Sequence, residues 1–284
     1  MWGSETQALL FCHSWKLTER LPWVIGDFTW TAWDNIGEVG TGRWMWERDG
    51  ELRGLEFAPY PWRCCYQGDF ELSGFRRPQS YFRQAFWDEV SELKIFTTHP
   101  CHYGEKLTGT GWHWYDVQES WTYDSEFEGK PITVEAYTLA DEVHFNVNGK
   151  VTVATQVDGI ARADVVYERG AVTAVAYKDG KEVARGYLST VGKVDRVEVT
   201  RDVEAGGLCY YNVVVVDKDG NRVPDANSRL TAEVEGGELL CIFSGDPANE
   251  DEYGTNVCHA YGGRAVAVVR TCGDVKLTVS FDEE

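Results

Sequence analysis

The feature that most constrains the fold is an alternation of apolar and polar residues, interrupted by turn residues, in the second half of the chain. Ile132–Tyr137 and Val143–Val147 alternate in this way, and Asn148-Gly149 then leads into Val151–Ala154. Period-two alternation predicts strands with one buried face, and Asn-Gly between two such runs is typical of a two-residue hairpin. From about residue 100 onward we therefore expect an antiparallel β-sandwich.

The same pattern continues to the C-terminus and indicates a second sandwich. We predict strands over Cys209–Val216, Ala265–Val269 and Val275–Val279, with a turn at Asp217–Asn221. That turn resembles the start of a calcium loop, but its glycine comes too early and no Glu stands where the loop would need one. We expect a turn here and no metal site in the chain.

The first 99 residues follow a different pattern, in which strands and helices alternate. Pro22–Trp30 is almost continuously apolar and predicts a buried parallel strand, whereas Arg77–Trp87, with Pro78 in its first turn, predicts a helix. No Trp follows Trp121, which also indicates a change of architecture. We therefore predict three domains, formed by residues 1–99, 100–190 and 191–284.

The net charge and the cysteine spacing limit which partners, cellular location and metal sites we expect for the chain. The formal net charge of -19 disfavours binding to nucleic acid or to an anionic membrane surface, and no apolar run approaches the roughly 18 residues of a membrane span. No basic and apolar leader opens the chain, so we expect a cytoplasmic protein, although secretion of a longer protein remains open. The eight Cys lack zinc-site spacing, and we expect free thiols, with Cys209 and Cys241 as the alternative disulfide pair.

Five segments, spread from one end of the chain to the other, resemble glycoside hydrolase family 2 enzymes of the β-galactosidase type. Gly3–Thr6 is similar to the seventh barrel strand, which ends in the nucleophile of the family, and Gly26–Trp30 resembles the eighth strand. Gly68–Phe82 resembles the segment that leads into the last barrel helix. Thr138–Lys150 is similar to a signature of the sandwich after the barrel, and Val215–Ala226 resembles the terminal immunoglobulin-like module.

The resemblance implies both a fold and an activity. The fold would be mixed: a partial (β/α)8 barrel segment, made of the last strands and helices, followed by two antiparallel immunoglobulin-like β-sandwiches. The activity would be retaining hydrolysis of β-galactosides or related β-glycosides. Such an enzyme has a carbohydrate substrate and needs no cofactor.

Three residues are candidates for the site. The resemblance makes Glu5 the nucleophile and Trp30 a platform on which the apolar face of a sugar stacks, and Asp34 could hydrogen-bond sugar hydroxyls. The residues alone leave alternatives open, because Glu5 could be a solvated residue near the terminus and Asp34 a solvated loop residue. Trp33 and Trp30 would face opposite sides of a regular strand, so only one of them can easily line a pocket.

Part of the expected catalytic machinery has no counterpart in these residues. A barrel takes about 250 residues and eight strands, and residues 1–99 can supply only the last of them. The resemblance assigns the general acid/base to the fourth strand, so we expect this chain to be incomplete and inactive alone. The alternative is a non-catalytic carbohydrate-binding, protein-binding or assembly module, which docks on a complementing chain or forms a homo-oligomer.

Two histidine-containing segments remain outside this scheme. His99 and His102 flank Pro100-Cys101, but we see no carboxylate at useful spacing and interpret the segment as a linker rather than a metal site. Trp112-His113-Trp114 could bind a ligand, but we favour a packing role for it.

Overall fold

The computed structural model describes residues 5–6, 8–53, 60–87, 92–109 and 112–282. The chain divides into two compact units. The first unit holds residues 1–59, 64–71 and 76–190, and the second holds residues 60–63, 72–75 and 191–284. Two short segments from the N-terminal part of the sequence thus fold with the C-terminal residues. The division into three domains stays a prediction.

Short strands and two helices form the described part of the first unit. They are β1 (Glu5–Thr6), α1 (Phe11–Arg20), β2 (Phe28–Thr29), β3 (Trp44–Arg48), β4 (Glu51–Arg53), α2 (Pro78–Trp87), β5 (Ile95–Thr97), β6 (Lys106–Gly109), β7 (Pro131–Tyr137), β8 (Glu142–Val147), β9 (Lys150–Thr155), β10 (Ile160–Val166), β11 (Ala171–Lys178) and β12 (Lys181–Ser189). Helix α2 begins at a proline, as predicted, because the first helical residue needs no N–H donor. None of the described helices is long and apolar enough to cross a membrane.

Two antiparallel sheets make up the predicted sandwich of the first unit. Their strand orders are β10-β7-β5 and β12-β11-β8-β9, and side chains of both sheets share one hydrophobic core around Trp121, Ile132 and Phe145. The predicted hairpin is confirmed, since Asn148 and Gly149 both have positive φ and connect the paired residues Val147 and Lys150. A further antiparallel sheet has the order β4-β3-β6.

Tyr123 places a hydroxyl group inside this core. Gln118 Nε2 donates a hydrogen bond to the Tyr123 hydroxyl at 3.2 Å, and the Thr97 hydroxyl is a second partner. Burial raises the pKa of Tyr123 to about 12, although both hydrogen bonds oppose this rise. The folded chain therefore keeps Tyr123 protonated at a pH where an unfolded tyrosine, with a pKa of about 10, ionises.

This difference predicts a loss of stability at alkaline pH. Because the folded pKa lies above the unfolded one, the contribution of Tyr123 is complete below about pH 10 and is lost as the pH approaches 12. Urea unfolding of the wild type and Tyr123→Phe should show the wild type losing ~2–3 kcal/mol relative to the variant between these pH values. Parallel pH profiles for the two proteins would contradict this account.

The N-terminal residues of the first unit contribute a parallel strand pair and helix α1, which packs against α2. Strand β1 pairs with β2, with Glu5 opposite Phe28 and Thr6 opposite Thr29. Helices α1 and α2 pack through Phe11 and Phe82, whose ring centroids are 6.1 Å apart. In the described part of the chain this is the one pair of parallel strands, so a partial barrel is not established by the fold itself.

The predicted buried strand over Pro22–Trp30 is wrong for most of its length. Only Phe28 and Thr29 pair, and Trp23, Ile25 and Phe28 are exposed, with Ile25 at 87%. An apolar run becomes a buried strand only when neighbours cover both of its faces. Among the described residues, β1 is the one strand that pairs with this run.

The described part of the second unit contains one five-stranded antiparallel sheet. Its strands are β13 (Arg196–Ala205), β14 (Leu208–Val216), β15 (Arg229–Phe243), β16 (Val257–His259) and β17 (Arg264–Phe281), in the order β13-β14-β17-β15-β16. Inward-facing residues of these strands form its hydrophobic core, which includes Val213, Leu230, Ile242, Ala265 and Val269. The antiparallel sandwich character predicted for this region is confirmed.

One strand replaces two that the sequence predicted. Ala265–Val269 and Val275–Val279 both belong to the continuous strand β17, and the pairing register shifts twice along its partner β15. One shift lies beside Gly236, which has φ +77°, and a Cβ there would come within 2.0 Å of the Asp274 carbonyl oxygen. Glycine is the residue that tolerates this conformation and this close approach.

The predicted turn after β14 is confirmed, and the Asp217 carboxylate organises it. Asp217 Oδ1 accepts hydrogen bonds from the backbone amides of Asp219 at 3.0 Å and Asn221 at 2.9 Å, and Oδ2 accepts from Gly192 at 2.8 Å. These amide hydrogen bonds, that from Gly192 foremost, lower the pKa of Asp217. The Asp217 carboxylate therefore stabilises the turn through these hydrogen bonds.

The thiols whose surroundings are described are free, as predicted, and Cys209 and Cys241 form no disulfide. The free cysteines are Cys12, Cys64, Cys65, Cys101, Cys209, Cys241 and Cys258. Burial raises the pKa of Cys258 to about 12, so that thiol stays protonated at neutral pH.

Candidate active site

The predicted nucleophile lies on the short parallel strand pair. Gly3, Ser4 and the side chain of Glu5 lie outside the described part of the chain, but the backbone of Glu5 pairs with Phe28, two residues before Trp30. Carboxyl ends of parallel strands meet at one edge of a sheet, which is the edge that carries active sites in α/β barrels. The backbone therefore brings the ends of the two predicted site segments together.

Trp30 and Trp33 have different surroundings. Trp30 follows β2 directly, is 38% exposed, and precedes a cis peptide bond to Thr31. Trp33 is 51% exposed and stacks on Phe70, with ring centroids 4.6 Å apart and an interplanar angle of 17°. One face of Trp33 is thus used for packing.

The backbone after Trp30 is fixed by a ladder of hydrogen bonds to the segment before α2. The amide of Asp69 donates to the Thr31 carbonyl at 3.0 Å, and the amide of Phe70 donates to the Ala32 carbonyl at 2.8 Å. The amide of Asp34 then donates back to the Phe70 carbonyl at 3.0 Å. Three hydrogen bonds within four residues make this a defined structure rather than a free loop.

Asp34 lies inside this frame and not at its surface. The residue is 5% exposed, and its Oδ1 accepts hydrogen bonds from the backbone amides of Gln67 at 3.0 Å and Gly68 at 2.8 Å. Its Oδ2 forms an ion pair with Arg77, whose guanidinium also lies over the ring of Tyr66 at 3.5 Å from the centroid. Both carboxylate oxygens of Asp34 are therefore engaged by the protein.

Burial and these contacts have opposite effects on the pKa of Asp34. Burial raises the pKa of its carboxyl group, while the Arg77 guanidinium and the amide of Gly68 oppose the rise. The observable role of Asp34 is to join the segment after Trp30 to the start of α2. Its contact with a substrate hydroxyl stays a prediction.

Gly68 allows the two segments to come this close. A Cβ at Gly68 would lie 2.4 Å from the Asp34 amide nitrogen and 2.6 Å from the Phe70 carbonyl oxygen. Gln79 of α2 donates from Nε2 to the Gly68 carbonyl at 2.7 Å, which ties the same peptide to the helix. Any side chain at this position would force the backbone segments apart.

A second buried ion pair fastens the frame to α2. Arg83 is 0% exposed and pairs with Asp69, the residue whose amide bonds Thr31. Burial lowers the pKa of Arg83 to about 10, and the charge of Asp27 opposes the change. The guanidinium also lies 5.6 Å from the centroid of the Phe11 ring on α1.

Sequence reasoning missed Arg77, Arg83 and Asp69, which hold the segment that carries the candidate tryptophans. A weak signal exists, because Arg77 lies directly before, and Arg83 within, a helix that is otherwise rich in aromatic residues, where a cation needs a buried partner. In the described residues, no group of three or more His, Cys, Asp or Glu side chains is arranged to hold a metal ion.

Two family models match the chain. Glycoside hydrolase family 2 C-terminal domain 5 matches residues 193–283, and a domain of unknown function, DUF4982, matches residues 129–184. Both matches fall in the β-sandwich part of the sequence.

Individual proteins match over almost the whole chain. The chain is 26% identical over 303 aligned residues to the β-galactosidase BoGH2A of Bacteroides ovatus, an alignment that covers 99% of this chain and 29% of that protein. It is 23% identical to a candidate β-glucuronidase of Formosa agariphila, covering 82% of this chain and 20% of that protein. The crystal structure of a glycosyl hydrolase family 2 member from Bacteroides cellulosilyticus superposes with a TM-score of 0.83 at 28% identity, covering 98% of this chain and 37% of that one.

These matches define the class of protein. The chain is a homologue of glycoside hydrolase family 2 proteins and corresponds to their C-terminal part. It spans less than a third of the length of the curated relatives it matches.

Proposed function

We propose that these residues form the C-terminal part of a longer retaining glycosidase that hydrolyses β-galactosides or related β-glycosides. Glu5 acts as the nucleophile and attacks the anomeric carbon, while Trp30 stacks on the apolar face of the sugar. The observation that most supports this proposal is the parallel pairing of Glu5–Thr6 with Phe28–Thr29, since it brings the Glu5 backbone and the start of the Trp30 segment to one sheet edge.

The chemistry requires a second carboxyl group. In a retaining enzyme the nucleophile forms a covalent glycosyl-enzyme intermediate, and a protonated carboxyl group about 5–5.5 Å away gives its proton to the leaving oxygen. The same group then deprotonates the water that releases the sugar. We assign this general acid/base to the rest of the longer protein, together with the remaining barrel strands.

Exposed apolar side chains support the view that β1, β2 and α2 are the last elements of a (β/α)8 barrel. Trp23, Ile25, Phe28 and Ile36 are all exposed, although a soluble protein normally covers so many large apolar groups in one stretch of sequence. The remaining barrel strands would bury them. The two arginine ion pairs then keep Trp30 in place, with Asp34 as a positioning residue in the frame.

We expect the chain alone to have no glycosidase activity. Purified protein incubated with 4-nitrophenyl β-galactoside and β-glucuronide should release no nitrophenol above the uncatalysed background. Glu5→Gln should behave identically. Turnover by the wild type that disappears in Glu5→Gln would show that the chain needs no further carboxyl group and would overturn the division of labour proposed above.

The same exposed residues favour a second candidate function, in which the chain docks on a complementing chain or on a second copy of itself. Buried contact with a partner would cover Trp23, Ile25 and Phe28 as a barrel would. Size-exclusion chromatography with light scattering tests this candidate. A monomer that does not associate at any concentration would count against it.

A further inference from the structure

A cavity of about 220 Å³ lies in the first unit, away from the candidate active site. Strand β3, which forms a hairpin with β4, contributes Trp46. The segment after β5 contributes His99, and Asp116 comes from the stretch before β7. We call it the hairpin cavity. In the described part of the chain, neither Trp30 nor Asp34 lines it. His99, Pro100 and His102 also line this cavity. They belong to the segment that the sequence analysis interpreted as a linker.

Asp116 supplies the hairpin cavity with a fixed hydrogen-bond acceptor. The indole Nε1 of Trp46 donates to Asp116 Oδ2 at 2.7 Å, and the Trp44 indole is a further donor. Burial raises the pKa of the Asp116 carboxyl, and these indole hydrogen bonds oppose the rise. Neutral N–H groups thus orient the carboxylate without cancelling its charge, so it still favours a ligand that donates hydrogen bonds.

His99 supplies a hydrogen-bond donor. Its Nδ1 accepts from the backbone amide of Cys101 at 3.2 Å, which assigns the ring proton of the neutral imidazole to Nε2. Burial lowers the pKa of His99, and the charge of His102 adds to this effect, so the neutral form prevails at pH 7. No described residue accepts a hydrogen bond from His99 Nε2.

Aromatic side chains form stiff walls around these groups. The Trp46 ring stacks on His102 with centroids 4.6 Å apart, and Glu105 fixes His102 through a contact of 2.6 Å to its Nδ1. Glu105 is held in turn by Arg48 Nε at 2.9 Å. Tyr103 also lines the cavity and is partly exposed, with its hydroxyl hydrogen-bonded to the Asp164 carboxylate at 3.1 Å.

We propose that the hairpin cavity binds one ring of a neutral carbohydrate. A sugar hydroxyl donates to Asp116, another accepts from His99 Nε2, and the apolar face of the ring lies against Tyr103. The volume is smaller than the roughly 300–1,000 Å³ of pockets that hold drug-sized ligands, which fits a single ring. The Asp116 carboxylate disfavours acidic sugars, because Arg162 in the wall is already paired with Glu135 at 2.6 Å. The proposal does not depend on the catalytic role of Glu5.

Titration of the intact 284-residue chain with methyl β-galactoside, methyl β-glucoside and glucuronate, followed by NMR, tests the proposal. We expect the two neutral glycosides to bind with a Kd of roughly 1–10 mM, to shift the ¹⁵N resonance of His99 Nε2, and to bind at least ten-fold more tightly than glucuronate. His99→Phe keeps a ring against Tyr123 and Phe127 but removes the donor, and it should weaken binding at least ten-fold.

The matched control is His13→Phe, which changes an exposed histidine that does not line the hairpin cavity and should leave the affinity unchanged. Asp116→Asn provides a second test that keeps one oxygen acceptor, and it should also weaken binding. Failure of both neutral glycosides to bind, a shift at Trp30 without one at His99, or preferential binding of glucuronate or of a small ammonium ion would overturn the proposal. A shift at Trp30 alone would instead favour sugar binding at the candidate active site, so the two proposals can fail separately.

Discussion

Asp34→Asn should lower the free energy of unfolding of the first unit by about 3–5 kcal/mol, the cost of breaking a buried ion pair from one side. The amide keeps an oxygen that can accept from the Gln67 and Gly68 amides, so the main change is the lost charge. Arg77 would remain buried over the Tyr66 ring without its anion. Urea unfolding followed by tryptophan fluorescence measures the effect, because every Trp except Trp62 belongs to the first unit.

Two control variants distinguish the loss of the Asp34–Arg77 ion pair from a nonspecific effect of substitution on stability. Arg77→Met removes the opposite charge, and the double variant should be more stable than the sum of the two single changes implies, because neither charge is then left unpaired. Glu168→Gln breaks the exposed pair with Lys150 in the same unit and should lower the free energy of unfolding far less than Asp34→Asn does, because solvent screens an exposed ion pair. Equal effects of Asp34→Asn and Glu168→Gln would contradict the role assigned to Asp34.

Arg83→Met should have an effect of similar size, about 3–5 kcal/mol, for a related reason. Methionine fills much of the same volume beside Phe11, but it leaves the Asp69 carboxylate without its cation. Asp69 also bonds Thr31 through its amide, so the segment after Trp30 should loosen. Urea unfolding measures the stability, and hydrogen exchange of the Asp69 and Phe70 amides measures the loosening.

The control for this prediction is Arg20→Met at the exposed end of α1, which removes the same charge from the protein surface. It should change stability by no more than about 0.5 kcal/mol. An unchanged exchange rate at Phe70 in Arg83→Met would show that the ion pair does not hold the frame. Both ion-pair predictions concern the described residues alone and stand without any catalytic assumption.

Features with a local cause could be predicted from the sequence. The hairpin at Asn148-Gly149 follows from two residues that tolerate positive φ between alternating runs, and α2 follows from Pro78 and its apolar pattern. The turn at Asp217 likewise depends on amides a few residues away. In each case the residues that determine the structure are neighbours in the sequence.

Features with a distant cause could not be predicted. Asp34 looks like a solvated loop carboxylate until Arg77, Gln67 and Gly68 are known to surround it. Pro22–Trp30 has the composition of a buried strand, but composition does not say which neighbours cover it. His102 has its carboxylate partner three residues away in Glu105, and only the geometry of the intervening turn makes that spacing useful.

The proposed nucleophile can be tested most directly by covalent trapping. The gene region should be expressed together with its upstream coding sequence and incubated with activated 2-deoxy-2-fluoro-β-glycosides, which form a glycosyl-enzyme intermediate that turns over slowly. We predict that mass spectrometry will find one fluorosugar on the peptide that contains Glu5, and none in Glu5→Gln. A fluorosugar on a different carboxylate, or an upstream sequence without barrel strands in the same reading frame, would contradict the assignment of this chain to the nucleophile end of a glycosidase.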